Sequence, residues 1–438
     1  MLKNMETKFV RYLKKSLEWL FYAFIFLLPW QTKLIIRPAD NNINEISLYG
    51  SHLLLLLILI FFFVYKLREK NAQEKVSALW IALFSSSIFI LISFFFAPDQ
   101  VLSFFHYFLY LVGIGLFFML REGIRPTGYE DCCLDKMKII YSFLFSIFLQ
   151  ALLGIYQFLA QNSFSCKYFG LAEHNPGVLG TSVVEAASGR WLRAYGGFDH
   201  PNIFGGVLAI CLILASYLLA RKKILKSRQE VAESVFLFLF YFAALFALFF
   251  TFSRSSWIAY GLGLILLLGT LIIQRDRWAI GRFLALIFFS IIMTLIIAVP
   301  YKDLLEVRVN GDTRLEQKSL EERIEYSFQS KKLIEDNAFF GVGVGNYVAA
   351  LERQDQSSRE SWEYQPVHNF FLLLWAQSGI GALISFFVFL VLLIIKKDRY
   401  GALPVAIFGA VIVLMLFDHW LLSLPFGILF LFLILGLL

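Results

Sequence analysis

Charge is scarce in this chain. Asp, Glu, Lys and Arg make up 16% of its 438 residues against 59% hydrophobic side chains, a balance that excludes a large soluble core and makes the bilayer its solvent. Cysteine is scarce too, with four in all. Cys132 and Cys133 are expected inside, Cys211 within a span and only Cys166 outside, so no outer disulfide is expected within one chain. No zinc-type spacing appears either. Clustered carboxylates are also lacking: residues 301–368 carry 13 acidic side chains, but these are scattered among nine basic ones. Asp40-Asn41-Asn42 is not a paired-carboxylate motif. No metal and no other cofactor are expected. Finally, no Asp, Glu, Lys or Arg falls near the middle of any expected span, which argues against an ion-coupled transporter or flippase.

What is present is a series of apolar runs near the ~20 residues a helix needs to cross the hydrocarbon. The fold expected is an all-α polytopic membrane protein, one integral domain over 1–438 with about twelve transmembrane helices. These fall at 16–33, 49–66, 77–97, 101–120, 139–160, 202–220, 234–252, 255–274, 280–300, 369–395, 402–418 and 421–438. The basic start lacks a small-residue cleavage site after its apolar run, so that run is read as the first span. Lys and Arg are retained on the cytoplasmic side. One set of alternate connections carries 24 of them and the other 15, nine of these in a single long loop. Both termini are therefore expected in the cytoplasm, and the net charge of +7 reads as an insertion signal rather than a nucleic-acid footprint.

Two stretches fall on the outer side, 161–200 and the long 301–368 between the ninth and tenth spans. In the second, Leu320, Ile324 and Phe328 recur every four residues, with Glu321, Glu322 and Lys331 among the polar positions. This pattern predicts a helix over 319–337 lying in the interface with its apolar stripe towards lipid. The glycines of Gly341-Val342-Gly343-Val344-Gly345-Asn346 suit a tight turn. A nucleotide-binding loop would need a preceding strand, a lysine and a different spacing.

Three polar segments interrupt the apolar runs on that same outer face: Arg190 to Asn202, Ser253 to Ser256 and Gln365 to Asn369. In the first, Arg190 and Arg193 precede two glycines and a proline at a helix start, a place where backbone donors and guanidinium forks suit phosphate oxygens. The plain alternative for both is snorkelling to headgroups. Arg254 sits in a nearly loopless turn between two apolar helices, where an arginine is costly unless an anion offsets it. His368, directly before the tenth span, can take a proton near neutral pH, which suits activation of a sugar hydroxyl, or it can be a cap. His200 adjoins the proline turn and reads as structural or supporting. Asp418 and His419, at the outer end of the eleventh span, can pair or support the site. Such an array points to an anionic, lipid-linked substrate.

Arg193 to Gly205, Thr251-Phe252-Ser253-Arg254, Asp336 to Asn346, and His368-Asn369-Phe370-Phe371-Leu372 with Gly379-Ile380-Gly381 resemble, in that order, the O-antigen ligase and O-antigen polymerase superfamily of bacterial envelope proteins. The resemblance runs from about residue 140 onward and departs from the family pattern at Ala338, where proline is common, and at Ser327 or Phe328, where tryptophan is. It implies transfer of a glycan from a polyprenyl diphosphate carrier to a hydroxyl acceptor at the outer face of the inner membrane, without nucleotide or metal. The acceptor would be a lipid-anchored core sugar for a ligase or a growing glycan for a polymerase. It further implies that Arg193 and Arg254 bind the donor diphosphate and that His368 is the base; Arg190, Asn202 and Asn369, in the same polar segments, are further candidates for substrate binding.

Overall fold

The computed structural model describes residues 2–39, 43–68, 77–124, 133–222, 227–311, 313–354, 360, 363–395 and 401–438, with the side chains of 2–11 and 68 left out. Cys132, residues 40–42 and much of the basic material used for orientation lie outside the described residues. The chain opens with helix α1 (Leu2–Leu27), strands β1 (Lys33–Arg37) and β2 (Ile46–Tyr49), and helices α2 (Gly50–Arg68), α3 (Ala78–Ser93), α4 (Gln100–Gly123) and α5 (Lys136–Ala160). Strands β3 (Val183–Ala186) and β4 (Gly189–Leu192) follow, then α6 (Pro201–Arg221), α7 (Arg228–Phe250), α8 (Arg254–Ile273) and α9 (Arg277–Ala298). The remainder holds α10 (Lys302–Asn310), α11 (Arg314–Asn337), α12 (Tyr347–Gln354), α13 (Phe370–Ile395), α14 (Ala402–Phe417), α15 (Trp420–Ser423) and α16 (Pro425–Leu437).

The fold is helical, and among the described residues nine helical stretches are long and apolar enough to cross a bilayer: α2 to α8, the stretch opened by α9, and α13. The count stays below the twelve expected for a physical reason. The first expected span, 16–33, runs past the end of α1 at Leu27, and α1 carries Arg11, Lys14, Lys15 and Glu18. The last two lie in α14 and α16, of 16 and 13 residues. At ~1.5 Å per residue both are short of a ~30 Å hydrocarbon layer. Two short antiparallel hairpins, β1 with β2 and β3 with β4, were not expected from the helical reading. The amphipathic helix of the long outer stretch is α11, which starts five residues earlier than expected, and its Leu320, Ile324 and Phe328 are exposed.

The chain divides into two compact units, one of Met1–Ser142, Arg323–Lys397 and Asp418–Leu438, the other of Phe143–Glu322 and Asp398–Phe417. In the first, α13 is broken. Gly379 has φ 77°, a left-handed value open to glycine, and the break leaves backbone groups without helical partners. The glycine run supplies them: Val342 N–H donates to Ala376 O and Gly343 N–H to Gln377 O, both at 2.9 Å, while Ile380 N–H donates to Ala338 O at 2.9 Å. A Cβ on Gly379 would lie 2.0 Å from Phe339 O, so two backbones touch where no side chain fits. The tight turn expected over 341–346 is present, with φ positive at Gly341, Gly343 and Gly345. Asn346 closes it by exchanging hydrogen bonds with Asp99: Asp99 N–H donates to Asn346 Oδ1 at 2.8 Å, and Asn346 Nδ2 donates to Asp99 O at 3.1 Å.

In the second unit α6 is apolar and buried nearly all round, as a helix surrounded by other helices should be. It packs against α7, α8, α9 and α14. Its entry turn is set by Pro201 in the first turn and by His200, whose Nδ1 accepts from Asn202 N–H at 3.1 Å. One turn further on, Gly205 admits the α7–α8 connection: a Cβ there would lie 2.6 Å from Ser256 Oγ.

Candidate active site

The α7–α8 connection is three residues long, Thr251 to Ser253, and Phe252 adopts φ 47°. A left-handed non-glycine residue costs about 1–2 kcal/mol and persists only where its surroundings hold it. Here two buried arginines do so. Arg193 Nε donates to Thr251 O at 2.6 Å. Arg308 donates to the next carbonyl, Phe252 O, from Nε at 3.1 Å and Nη2 at 2.7 Å. The strained turn therefore presents Arg254 at the start of α8 in a fixed place.

Arg193, 5% exposed, also donates from Nη1 to Ser182 Oγ at 2.7 Å and from Nη2 to Asn202 Oδ1 at 2.8 Å. Burial, and after it the charge of Arg308, lower its pKa, while Tyr195 and Glu316 act the other way. Arg308 pairs through Nη1 with Glu316 Oε1. Glu316 Oε2 lies 3.0 Å from Arg254 Nη2, and the side chains of Glu316 and Arg254 are 6% and 47% exposed. Arg254 Nη1 donates to Arg308 O at 3.3 Å. Among the described residues, three guanidinium groups and one carboxylate thus surround the turn, and Arg254 is the most exposed of the three cations.

Of the other expected donor-binding residues in this unit, Asn202 joins the cluster through Arg193. Arg190 does not; it stands on β4 opposite Glu185. His200 caps α6, in keeping with its structural reading. Arg308 and Glu316 were not expected. Sequence gives no signal for them, because a buried arginine in a loop rich in both charges looks like any solvated one.

In the first unit, His368 stands two residues before α13. Asn369 is spent partly on that helix, its Oδ1 accepting from Phe371 and Leu372 N–H at 3.0 Å each. His368 Nδ1 lies 3.6 Å from Asp418 Oδ1, an ion-pair distance rather than a hydrogen bond, with the side chains 27% and 9% exposed. The same Asp418 oxygen accepts from His419 N–H at 2.8 Å, and His419 Nδ1 is 2.7 Å from Ser423 Oγ. The imidazoles of His368 and His419 are 5.1 Å apart, and the Tyr326 ring is 6.2 Å from His368. Burial holds the His419 pKa down to about 4, so its ring is neutral at physiological pH. Asp418 and His419 therefore lie beside His368.

Two imidazoles and a carboxylate are also a zinc-type donor set. The donor atoms of His368, Asp418 and His419 all lie within 4.8 Å of one another, and among the described residues they form the one such group of three.

The fold and these clusters define a multi-pass membrane protein with an arginine-rich turn in one unit and a carboxylate-backed histidine in the other. Residues 239–387 match the family model described as O-antigen ligase, which bears out the superfamily resemblance carried by the motifs. The matched region holds Arg254, Arg308, Glu316 and His368, while Arg193, Asn202, Asp418 and His419 lie outside it. No curated protein matches the chain.

Proposed function

We propose that this protein moves a glycan from a polyprenyl diphosphate carrier to a hydroxyl acceptor at the outer face of the bacterial inner membrane, acting as an O-antigen ligase. The observation that carries the reading is Arg254: within the matched region, one half-exposed guanidinium is held at a strained turn by two buried arginines. In this reading α1 and, with the residues that flank them, α14 and α16 also cross the bilayer, which gives twelve spans with both termini in the cytoplasm and turns the 161–200 and 301–368 stretches outward. The acceptor is a lipid-anchored core sugar.

The acceptor oxygen attacks the sugar carbon that bears the diphosphate. That carbon's bond to the diphosphate oxygen breaks, the acceptor proton passes to His368, and the lipid diphosphate leaves. Arg254 binds the donor diphosphate and meets the negative charge that grows on the leaving oxygen, the kind of interaction that strengthens in the transition state. Arg193 and Asn202 support it from behind, since the Arg193 donors described above are already in use. His368 acts as general base, an effect typically worth ~10²–10⁴ in rate, and Asp418 steadies its imidazole. The transfer is drawn without a metal.

The chain-length profile of lipid-diphosphate-linked glycans in cells depleted of the protein tests this. Long glycans stranded on the carrier support a ligase. Stranded single repeats would make the protein a polymerase of the same superfamily, and an unchanged pool would remove the transferase reading.

A further inference from the structure

Among the described residues, the turn holds one anion of its own. Arg193, Arg254 and Arg308 contribute three positive charges and Glu316 one negative, leaving two. A diphosphate joined at both ends carries two negative charges. The lipid diphosphate released by transfer has one more ionisable oxygen, with a second-ionisation pKa near ~6 for a phosphate monoester. The product is thus the more strongly held ligand of such a cluster, and release of product is a common limit on turnover.

Glu316 is placed to counter this. Its two arginines are not equivalent. Arg308 cannot swing away, because Nε and Nη2 are both bonded to Phe252 O. Arg254 is half exposed, and its contact with Glu316 Oε2 is an ion pair without hydrogen-bond alignment. When Arg254 moves to another anion, Glu316 keeps Arg308 on Oε1, so no buried carboxylate is left without a counter-charge, the situation that makes breaking a buried pair costly.

We propose that Glu316 is an exchangeable anion of the donor site: it holds Arg254 when the site is empty, yields it to the diphosphate, and retakes it to hasten departure of the lipid diphosphate. This rests on the donor reading above. Glu316 is in this sense a positioning residue that weakens product retention, and it needs no contact with the reacting atoms.

The test uses the purified full chain in detergent micelles, with polyprenyl diphosphate lacking sugar as the probe and the glycan-loaded donor for kinetics. Glu316→Gln should bind the probe about threefold to fivefold more tightly, the size of one partly exposed ion pair. Its kcat and KM should fall together while the single-turnover rate stays as in wild type. Glu316→Asp keeps the charge that neutralises Arg308 but withdraws the carboxylate by one methylene from Arg254, and should tighten binding by a smaller factor. It decides the matter where the Gln variant fails to fold. Probe affinity that depends on Arg254 yet is unchanged or weakened in both Glu316 variants overturns the proposal. Probe affinity that Arg254→Ala leaves unchanged overturns the donor reading itself, and the exchange with it.

Discussion

Arg193 donates from Nε to the carbonyl of Thr251 at 2.6 Å, fifty-eight residues along the chain, and so makes the β4–α6 segment a brace for the turn that carries Arg254. Arg193, one of the two arginines expected to grip the donor, spends Nε, Nη1 and Nη2 on the protein. In the proposed reaction its charge acts on the donor diphosphate, while its hydrogen bonds shape the turn.

Arg193→Lys should therefore lose more than a conservative exchange suggests. Lysine retains the charge but cannot donate to Thr251, Ser182 and Asn202 together in the planar spread of a guanidinium. Losing two hydrogen bonds made by a charged donor costs about 3–6 kcal/mol. The expected outcome is a lower melting temperature in detergent with a raised donor KM. A variant that melts like wild type and loses only kcat would mean that Arg193 acts on the reacting atoms instead.

His368→Ala should reduce kcat by ~10²–10⁴ with donor binding retained, since proton transfer and anion binding fall to different side chains. Asp418→Asn should reduce kcat about tenfold with KM little changed, because the amide keeps the shape beside His368 but not the charge. Donor titrations beside steady-state rates separate these effects; a large rise in donor KM for either variant would contradict the division of labour.

Much of this was legible in sequence, and the limits have physical causes. Periodicity, glycine runs and arginines beside apolar helices are local signals, and they led to the helical fold, the 341–346 turn and the residues Arg254, His368, Asp418 and His419. The β3–β4 hairpin was missed because four-residue strands without alternation give almost no pattern. Arg308 and Glu316 were missed because only tertiary packing distinguishes a buried charge from a solvated one. The reading of α11 as lying in the interface is consistent with its exposed apolar stripe, yet the Glu316 near its start is turned into the protein and paired.

Chelation provides a separate check on His368, Asp418 and His419. With no metal in the proposed transfer, exhaustive treatment with a strong chelator should leave the rate within twofold of the untreated enzyme. Loss of activity restored by zinc alone would make the three side chains a metal site, and His368 a ligand rather than a base.

Gly379→Ala should be among the most damaging single changes in the first unit. The added methyl meets Phe339 O and Phe340 N at 2.0 and 2.8 Å, both backbone atoms, and the φ of 77° suits only glycine well. Separation of the glycine run from α13 would expose the carbonyls of Ala376 and Gln377, so a loss of more than about 3 kcal/mol is expected. Lower yield of folded protein and a lower melting temperature would report it; Gly269→Ala, where a Cβ meets nothing within 4 Å, is the control.

Acid should destabilise the protein partly through His419. Burial holds its pKa at about 4 in the folded chain, whereas an unfolded histidine titrates near ~6.5. Between these values the unfolded chain binds a proton that the folded chain does not, so stability falls as pH drops from about 6.5 to 4 and this contribution is fully present only above that range. Asp418 partly favours the charged ring, while His368 and Arg323 oppose it. The full effect of one such group is about 3 kcal/mol, at ~1.4 kcal/mol per pKa unit. His419→Gln removes the titration while an amide can still reach Ser423, so its melting temperature should decline less than that of wild type between pH 7 and 4.5. Parallel declines would show that the acid sensitivity of the fold lies elsewhere.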